Sequence, residues 1–528
     1  MITPTDLGFP STSFLSYRER QLEIATEAAM SPRRFYVLNL PVGGGKSLIC
    51  QTYAKLRGGR TLTLAPTKDL QLQLERDFDD LTNIYGHGHY GCSTSTVADG
   101  EMEFECPVAS ECDYRPIVRE CLDSSNVLTN PAHWVNILKS GDRDRLGKFD
   151  NLVIDEAHRI HDMLCDYISF TVTPQRVYRL LRMEITPSVN PMASIAGWYE
   201  WAKVVCGRCV DEIGSLESRA DNGDPVAVKQ IRRIAYLQTE LTRFTDSFPQ
   251  TEWVAAPIPY TDRHVKLTPV WGREFAEQYL FGGIPNVFLC SGTIQEESLK
   301  DLGITTDNYA YRDEESLFPP DRSPFVYIPT VTVNARMSQS ERGVLVRRID
   351  QIIRESLAYK GTIQATGYEW ARSIYEMSEW RGHSDVILPG IDRDSARESY
   401  EYFNSSRSHP PNVLLSPTIK EGLDLHGDKC RYQVIPKIPY PNMVDPLTAA
   451  RSKSDKRYMI RMAAQTLEQM KGRSTRSRDD WSVTFLLDDG WDTPWVRKTI
   501  PLSKSFRRCQ RRMEGVRGIA GMYKTLDR

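Results

Sequence analysis

Three short runs carry residue types able to do phosphate chemistry. The first is Pro41-Val42-Gly43-Gly44-Gly45-Lys46-Ser47. Gly43, Gly44 and Gly45 let the backbone fold into a nest of N–H groups facing an anion. Lys46 supplies a point charge for the outer phosphates of a nucleotide, and the Ser47 hydroxyl suits Mg²⁺. The strict pattern has glycine where this chain has Leu40, so a glycine-rich turn beside a lysine is the plain alternative. The second run, Asp155-Glu156-Ala157-His158, follows the apolar stretch Leu152-Val153-Ile154. There Asp155 is suited to hold Mg²⁺ through water, and Glu156 to orient and deprotonate an attacking water. The third is Gln469-Met470-Lys471-Gly472-Arg473-Ser474-Thr475-Arg476. Arg473 and Arg476 sit one helical turn apart and can face one cleft, where they would offset the charge of a phosphoryl-transfer transition state. A surface turn or a basic helix face would explain the second or third run taken alone. Together the three predict an ATPase whose arginines come from a second domain, which couples chemistry to closure.

The elements that must position these runs can be read from hydrophobic periodicity. Phe35 to Leu40 is an apolar, β-prone run before the phosphate loop, and residues 14–30 read as an approach to a helix and the helix itself, carrying Arg18 and Gln21. Thr61 to Ala65 reads as a buried strand, followed by a helix with Leu70, Leu74 and Phe78 on one face. Strand, loop and helix in that order predict an α/β domain with a parallel sheet. Residues 86–125 show little periodicity and read as a separate lobe set on loops. Strands return at Val127–Asn130 and Leu152–Ile154. From Thr173 to about 248 the pattern is helical, with Asp224-Pro225 as a helix start and Ile231, Ile234, Leu237, Leu241 and Phe244 on one face. Sheet signals resume at Asn286–Cys290. A second α/β unit begins near 330, with a helix through Leu345, Ile349, Ile352, Ile353 and Leu357 and strands at 362–365, 413–415, 432–435 and 483–487. The boundaries expected are 1–88, 126–168 and 256–325 for the first α/β unit, 89–125 for the lobe, 169–255 for a helical insertion and 326–528 for the second unit.

At 528 residues the chain needs several cores, and a net charge of −2 provides no global basic field, so a nucleic acid would have to be held by local grooves. The first ten residues lack a signal pattern and no apolar run reaches the length of a membrane span, which predicts a cytoplasmic protein without membrane contact. The tail beyond 497 is basic, at Arg507-Arg508 and Arg511-Arg512, and reads equally as a solvated helix face or a nucleic-acid contact. Eleven cysteines do not suggest a disulfide framework, but four of them, Cys92, Cys106, Cys112 and Cys121, fall in the lobe. Thiolates on loops suit an iron–sulfur cubane or tetrahedral zinc, and free thiols are the third reading. Intervals of thirteen, five and eight intervening residues are unlike the paired C-x-x-C of a zinc ribbon. The true C-x-x-C, Cys206 to Cys209, lies in a helical segment without nearby partners and reads as packing.

In chain order these runs, together with Arg18-Glu19-Arg20-Gln21, Ala65-Pro66-Thr67-Lys68, Ser291-Gly292-Thr293 and Glu421-Gly422-Leu423-Asp424, resemble a superfamily 2 helicase, and more narrowly the XPD/DinG family with a DEAH box. The narrower resemblance rests on Leu289–Thr293, on Glu421–Gly427 and on the cysteine lobe, and the whole set spans about 18 to 476. It implies two RecA-like P-loop motor domains, the first interrupted by an iron–sulfur lobe and a helical arch. Gln21, with Arg18, would read the nucleotide's adenine. Lys46, Asp155, Glu156, Gln469, Arg473 and Arg476 would form the catalytic set, with ATP, Mg²⁺ at Ser47 and Asp155, and a [4Fe–4S] cluster on Cys92, Cys106, Cys112 and Cys121. His158, Ser291 and Thr293 would link ATP state to domain movement. Glu421, Gly422 and Asp424 would connect the nucleotide cleft to the bound strand, Asp424 counting among the ATP-binding residues. Thr67, Lys68, Asn130, Thr366 and Tyr368 would grip single-stranded DNA. Trp134, Tyr368 and Trp370 could stack on bases or belong to the core. Asn39 and Val42 depart from the acid and threonine common in the family.

The activity implied is an ATP-dependent DNA helicase moving 5′→3′ as a monomer on tailed or forked duplexes, in a minimal, viral or bacterial version working in the cytoplasm. A DEAH-type RNA helicase, or an ATP-switched clamp without unwinding, are the rival readings.

Overall fold

The computed structural model describes residues 2–41, 43–90, 112–183, 194–259, 261, 264–405, 413–418, 425, 427–475 and 477–527. Cys92, Cys106, Glu421, Gly422, Asp424 and Arg476 lie outside the described residues.

Ten strands precede residue 320: β1 Phe35–Asn39, β2 Thr61–Leu64, β3 Thr82–Asn83, β4 Asn126–Thr129, β5 Asn151–Ile154, β6 Phe170–Val172, β7 Trp253–Pro257, β8 Val265–Pro269, β9 Asn286–Ser291 and β10 Tyr309–Asp313. Seven of them form one parallel sheet in the order β10-β1-β9-β5-β2-β4-β3. Strands β1, β2, β4 and β5 are buried along their whole length because helices cover both faces, so even the alternating threonines of β2 are buried. The helices of this unit are α1 Gln21–Met30, α2 Lys46–Arg57, α3 Lys68–Asp77, α4 Tyr114–Asp123, α5 Pro131–Lys139 and α6 Ile160–Ile168. The expected helix over 14–30 begins only at Gln21. Arg20 before it is left-handed (φ 68°), and Leu15 is 83% exposed.

The helical insertion contains α7 Pro174–Leu181, α8 Ile195–Asp221 and α9 Pro225–Ser247. Asp224 caps α9 by accepting from Val226 N and Ala227 N, and Ile234, Leu237, Leu241 and Phe244 are buried against α8. The insertion also carries a small antiparallel sheet, β6-β8-β7, which the sequence reading did not include. The loop-borne lobe expected over 86–125 is also partly helical. α4 carries Tyr114 and Cys121 into the core of the first unit, alongside Leu62, Val127 and Trp134.

After the short α10 (Arg273–Ala276), β9 and β10 complete the first sheet; the second unit follows, with α11 Gln339–Glu355, α12 Tyr368–Met377, α13 Arg393–Ser405, α14 Pro446–Ser454 and α15 Tyr458–Lys471. Its strands β11 Phe325–Val331, β12 Gly361–Gln364, β13 Ile387–Pro389, β14 Val413–Ser416, β15 Tyr432–Ile435, β16 Val483–Asp488 and β17 Gln510–Arg512 form a parallel sheet in the order β13-β14-β12-β15-β16-β11-β17. Ser338 and Glu341 form a capping box that starts α11. The two parallel-sheet units are the RecA-like motors expected from the sequence, here called motor 1 and motor 2. Among the described residues no helix is long and apolar enough to cross a membrane.

Candidate active site

β9 lies between β1 and β5, so the phosphate loop after β1, Ser291 at the end of β9 and Asp155 after β5 meet at one edge of the sheet. Asn39 is in register with Ser291, and Leu40 N donates to Ser291 O at 2.8 Å. In parallel α/β sheets such carboxyl edges are where ligands bind.

The loop itself is tightly built. Gly45 caps α2 at φ 78°, and a Cβ there would fall 2.1 Å from Gln21 Nε2. A Cβ on Gly44 would meet Leu40 Cγ at 2.6 Å, so the leucine that breaks the strict pattern fills the space beneath the loop and depends on Gly44. Gln21 is buried. Its Oε1 accepts from Arg18 N at 2.7 Å and its Nε2 donates to Gly44 O at 3.0 Å, while Arg18 Nη1 donates to Gly43 O at 2.6 Å. The Arg18–Gln21 element expected to face the adenine therefore holds the loop's carbonyls in this structure. Asn39 donates to Asp313 Oδ1 at 2.9 Å, which sets a carboxylate from β10 beside the position where the family carries its acid.

Asp155 and Glu156 have opposite electrostatic surroundings. Asp155 is buried, and burial, reinforced by the neighbouring Glu156 charge and only partly offset by Lys46, raises its pKa to about 6. Its Oδ1 accepts from Glu156 N at 2.7 Å. Burial alone would raise Glu156 as well, but Lys46, then His158 and Arg473, hold it below the usual carboxylate range. Lys46 Nζ is 3.6 Å from Glu156 Oε1. Glu156 also adopts φ 48°, a left-handed conformation that costs a non-glycine residue roughly 1–3 kcal/mol. The site thus has one carboxylate that stays charged and one whose charge Lys46 offsets only in part. A divalent cation held by Asp155, with Ser47 on the first turn of α2, fits that imbalance.

From Glu156 a line of polar contacts leads out of motor 1. His158 Nδ1 lies 3.3 Å from Glu156 Oε2 and 2.7 Å from Ser291 Oγ. Ser291 Oγ accepts from Thr293 N at 3.1 Å, and Thr293 Oγ1 accepts from Gln469 Nε2 of motor 2 at 3.3 Å. Lys46, Glu156, His158, Thr293, Gln469 and Arg473 together border a cleft of about 550 Å³ between the motors. The structure therefore brings together the loop, the carboxylates, the linking serine and threonine, and Arg473.

Residues 19–187 match the DEAD/DEAH box helicase family, and residues 366–505 match the helicase C-terminal domain family of the XPD/DinG type. The chain belongs to the superfamily 2 helicases. Among solved structures this helicase is similar in fold to an XPD helicase, with 14% identity over 95% of this chain and 100% of that chain (TM-score 0.59). It is similarly related to Xpd4 of S. tokodaii, with 14% identity over 94% of this chain and 100% of that chain (TM-score 0.58). No curated protein sequence matches significantly.

The helicase's candidate strand-gripping residues lie just past the carboxyl ends of parallel strands, Thr67 and Lys68 after β2, Asn130 after β4, Thr366 and Tyr368 after β12. Thr67 and Lys68 are exposed. Thr67 caps α3 by accepting from Leu70 N at 3.3 Å, and Asn130 caps α5 by accepting from His133 N at 2.9 Å. Trp134 is a core residue, its Nε1 donating to Leu280 O at 2.7 Å, and is unavailable for stacking. Cys206 and Cys209 pack in α8, Cys209 fully buried, in keeping with a structural role.

Among the described residues no group of three metal-ligating side chains is assembled. Cys112 and Cys121 are both buried, and burial raises the Cys121 thiol to about 12. Tyr90 and Tyr114, on either side of residues 91–111, meet at a tilt of 59° with ring centroids 5.5 Å apart, so the chain before and after that segment converges beside these cysteines. Cys112 and Cys121, the two of the four cysteines among the described residues, are thiols of the type a cluster takes.

Sequence reasoning missed Asp162 and Gln465, which also line the cleft. The signal was available, since each lies one helical turn from a residue already singled out, His158 and Gln469.

Proposed function

We propose that this helicase hydrolyses ATP between its motors and uses the resulting closure and opening to advance along single-stranded DNA, 5′→3′, separating tailed or forked duplexes as a monomer in the cytoplasm. The observation that carries the reading is the polar line Glu156–His158–Ser291–Thr293–Gln469, which joins the candidate base to motor 2. Glu156, held anionic, accepts a proton from the attacking water, and Lys46 offsets the charge of the outer phosphates. Arg473 reaches the cleft from motor 2, so the transition state is fully stabilised only when the motors meet. Loss of the outer phosphate removes what holds them together, and the line through Ser291 transmits that change. Mg²⁺, when held by Ser47 and Asp155, would neutralise charge on the phosphates. Thr67, Lys68, Asn130, Thr366 and Tyr368 would hold the strand by its backbone, with tolerance for sequence and sensitivity to salt. Cys92, Cys106, Cys112 and Cys121 would hold a [4Fe–4S] cluster that braces the lobe at the junction where strands part.

ATP hydrolysis measured with matched single-stranded DNA and RNA tests the reading. Stimulation of about tenfold or more by DNA, lost in Lys46→Ala, is expected. Stimulation by RNA alone would favour the RNA helicase, and equal rates with and without nucleic acid would contradict a translocating motor.

A further inference from the structure

Gln469 and Arg473 reach the cleft from the C-terminal end of α15, and the opposite end of that helix is held on motor 1. Arg461, on the first turn of α15 and 2% exposed, donates through Nη1 and Nη2 to Asp301 Oδ2 of motor 1, each at 3.1 Å. Nη2 also reaches Asp455 Oδ2 at 2.8 Å, and that carboxylate accepts from Lys300 of motor 1 at 3.1 Å. Gln295 Nε2 donates to the carbonyl of Arg461 at 3.1 Å, and Arg457 pairs with Glu297 at 2.9 Å. Only Ile294 separates Thr293 from residues 295–301, so the segment that touches Gln469 at one end grips the start of α15 at the other.

A second buried arginine supports the same end. Arg451 of α14 donates through Nε to Val270 O at 2.9 Å and through Nη1 to Asp162 Oδ1 at 2.6 Å. Asp162 stands on α6, one turn beyond His158. Trp271 Nε1 donates to Ser454 Oγ at 3.2 Å, and its ring packs against Tyr458 in an apolar cluster shared by the segment after β8 and motor 2.

Buried ion pairs of this kind add little net stability over apolar packing, because desolvation opposes the attraction, but they fix geometry and register. From Arg461 to Gln469 is eight residues, about 12 Å of helix at 1.5 Å per residue. We infer that Arg461, with Arg451, is a positioning residue for hydrolysis: it fixes the N-terminal turn of α15 on motor 1 as a pivot, so that closure swings the far end, with Gln469 and Arg473, over the nucleotide. The inference rests on the ATPase reading of the cleft. α15 is packed into motor 2, so with its first turn held on motor 1 its far end keeps a fixed distance from that anchor as motor 2 turns, which keeps Arg473 on the cleft that holds Glu156.

The test uses Asp301→Asn in the full chain, which removes the motor 1 charge that Arg461 faces while leaving Asp455 to satisfy Arg461. Asp350→Asn is the control: Asp350 is equally buried, inside motor 2, and accepts from Ser378 Oγ at 2.6 Å and Glu379 N at 3.0 Å. Asp301→Asn should lower kcat for DNA-stimulated ATP hydrolysis about tenfold or more, as misplacement of a distant catalytic group does, while affinity for a fluorescent non-hydrolysable ATP analogue stays within about twofold. Asp350→Asn should leave kcat within about twofold whatever its thermal midpoint. Wild-type kcat in Asp301→Asn, or an equal loss in Asp350→Asn, would overturn the pivot. If the unsubstituted protein hydrolyses no ATP, the motor reading fails separately. Hydrogen exchange then decides the pivot: Asp301→Asn must speed exchange of the first-turn amides of α15, and unchanged exchange overturns it.

Discussion

His158 Nδ1 and Ser291 Oγ are 2.7 Å apart, a contact that joins the loop after β5 to the end of β9. Ser291 is fully buried and also takes the N–H of Thr293, so one hydroxyl serves both sides of the link to motor 2. Removing it leaves polar partners unsatisfied at a cost of about 1–3 kcal/mol, but touches neither Lys46 nor Glu156. Ser291→Ala should therefore keep ATP hydrolysis within about tenfold of the parent while strand separation falls much further. Parallel assays of phosphate release and unwinding check this. Equal losses in both would show that the serine serves chemistry rather than coupling.

Asp155 predicts an unusual pH response in the nucleotide-free protein. Its folded pKa, about 6, lies above its ordinary value of 3.8. A raised carboxyl contributes stability that is fully present below the ordinary value and lost as pH rises through the folded one. The metal-free protein should thus gain stability from this site as pH falls from about 7 towards 4, other groups aside. Asp155→Asn, which keeps an oxygen to accept from Glu156 N, should raise metal-free stability at neutral pH by about 1–2 kcal/mol while abolishing hydrolysis. Denaturation midpoints of both proteins against pH, without and with Mg²⁺ and ADP, test it. A less stable Asp155→Asn at neutral pH would contradict the charge assignment.

The phosphate loop gives a sharper steric prediction. Gly45→Ala sets a Cβ 2.1 Å from Gln21 Nε2 at a φ of 78°. Affinity for a fluorescent ATP analogue should fall at least about tenfold, with roughly 1–2 kcal/mol lost in stability. Adding Gln21→Ala should restore part of the stability but little of the affinity, because the backbone strain remains. Full recovery of binding in the double variant would place the whole effect on the side-chain clash.

Much of this arrangement was legible in the sequence, for local reasons. Strands such as β1 and β5 carry short apolar runs, Phe35–Leu38 and Leu152–Ile154, and Asp224-Pro225 caps its helix as its type and order predict. The helix α4 was not recognised, although Tyr114, Ile117, Val118 and Cys121 follow helical spacing. Pro116 and the surrounding polar residues concealed it. The β6-β8-β7 sheet has no local signature, because β6 pairs with a strand almost a hundred residues away, as Phe170 with Leu267. Of the site, the loop, the DEAH residues and Arg473 were readable as motifs. The contacts that orient them were not, since Arg451 and Asp162 are 289 residues apart and nothing local marks either as a partner.

The cysteine junction predicts metal content. Protein prepared without oxygen should carry iron and acid-labile sulfide near the stoichiometry of one [4Fe–4S] unit, about four of each. Cys121→Ser should lose both while DNA-stimulated ATP hydrolysis persists and strand separation falls. Zinc in place of iron and sulfide would assign the thiols to a different ion.

Strand separation on duplexes with only a 5′ or only a 3′ single-stranded tail, with Lys46→Ala alongside, tests the central claim most directly. The account predicts ATP-dependent unwinding of the 5′-tailed DNA alone, absent in the variant. DNA-stimulated hydrolysis without unwinding of either substrate would contradict the helicase and leave an ATP-driven clamp or translocase.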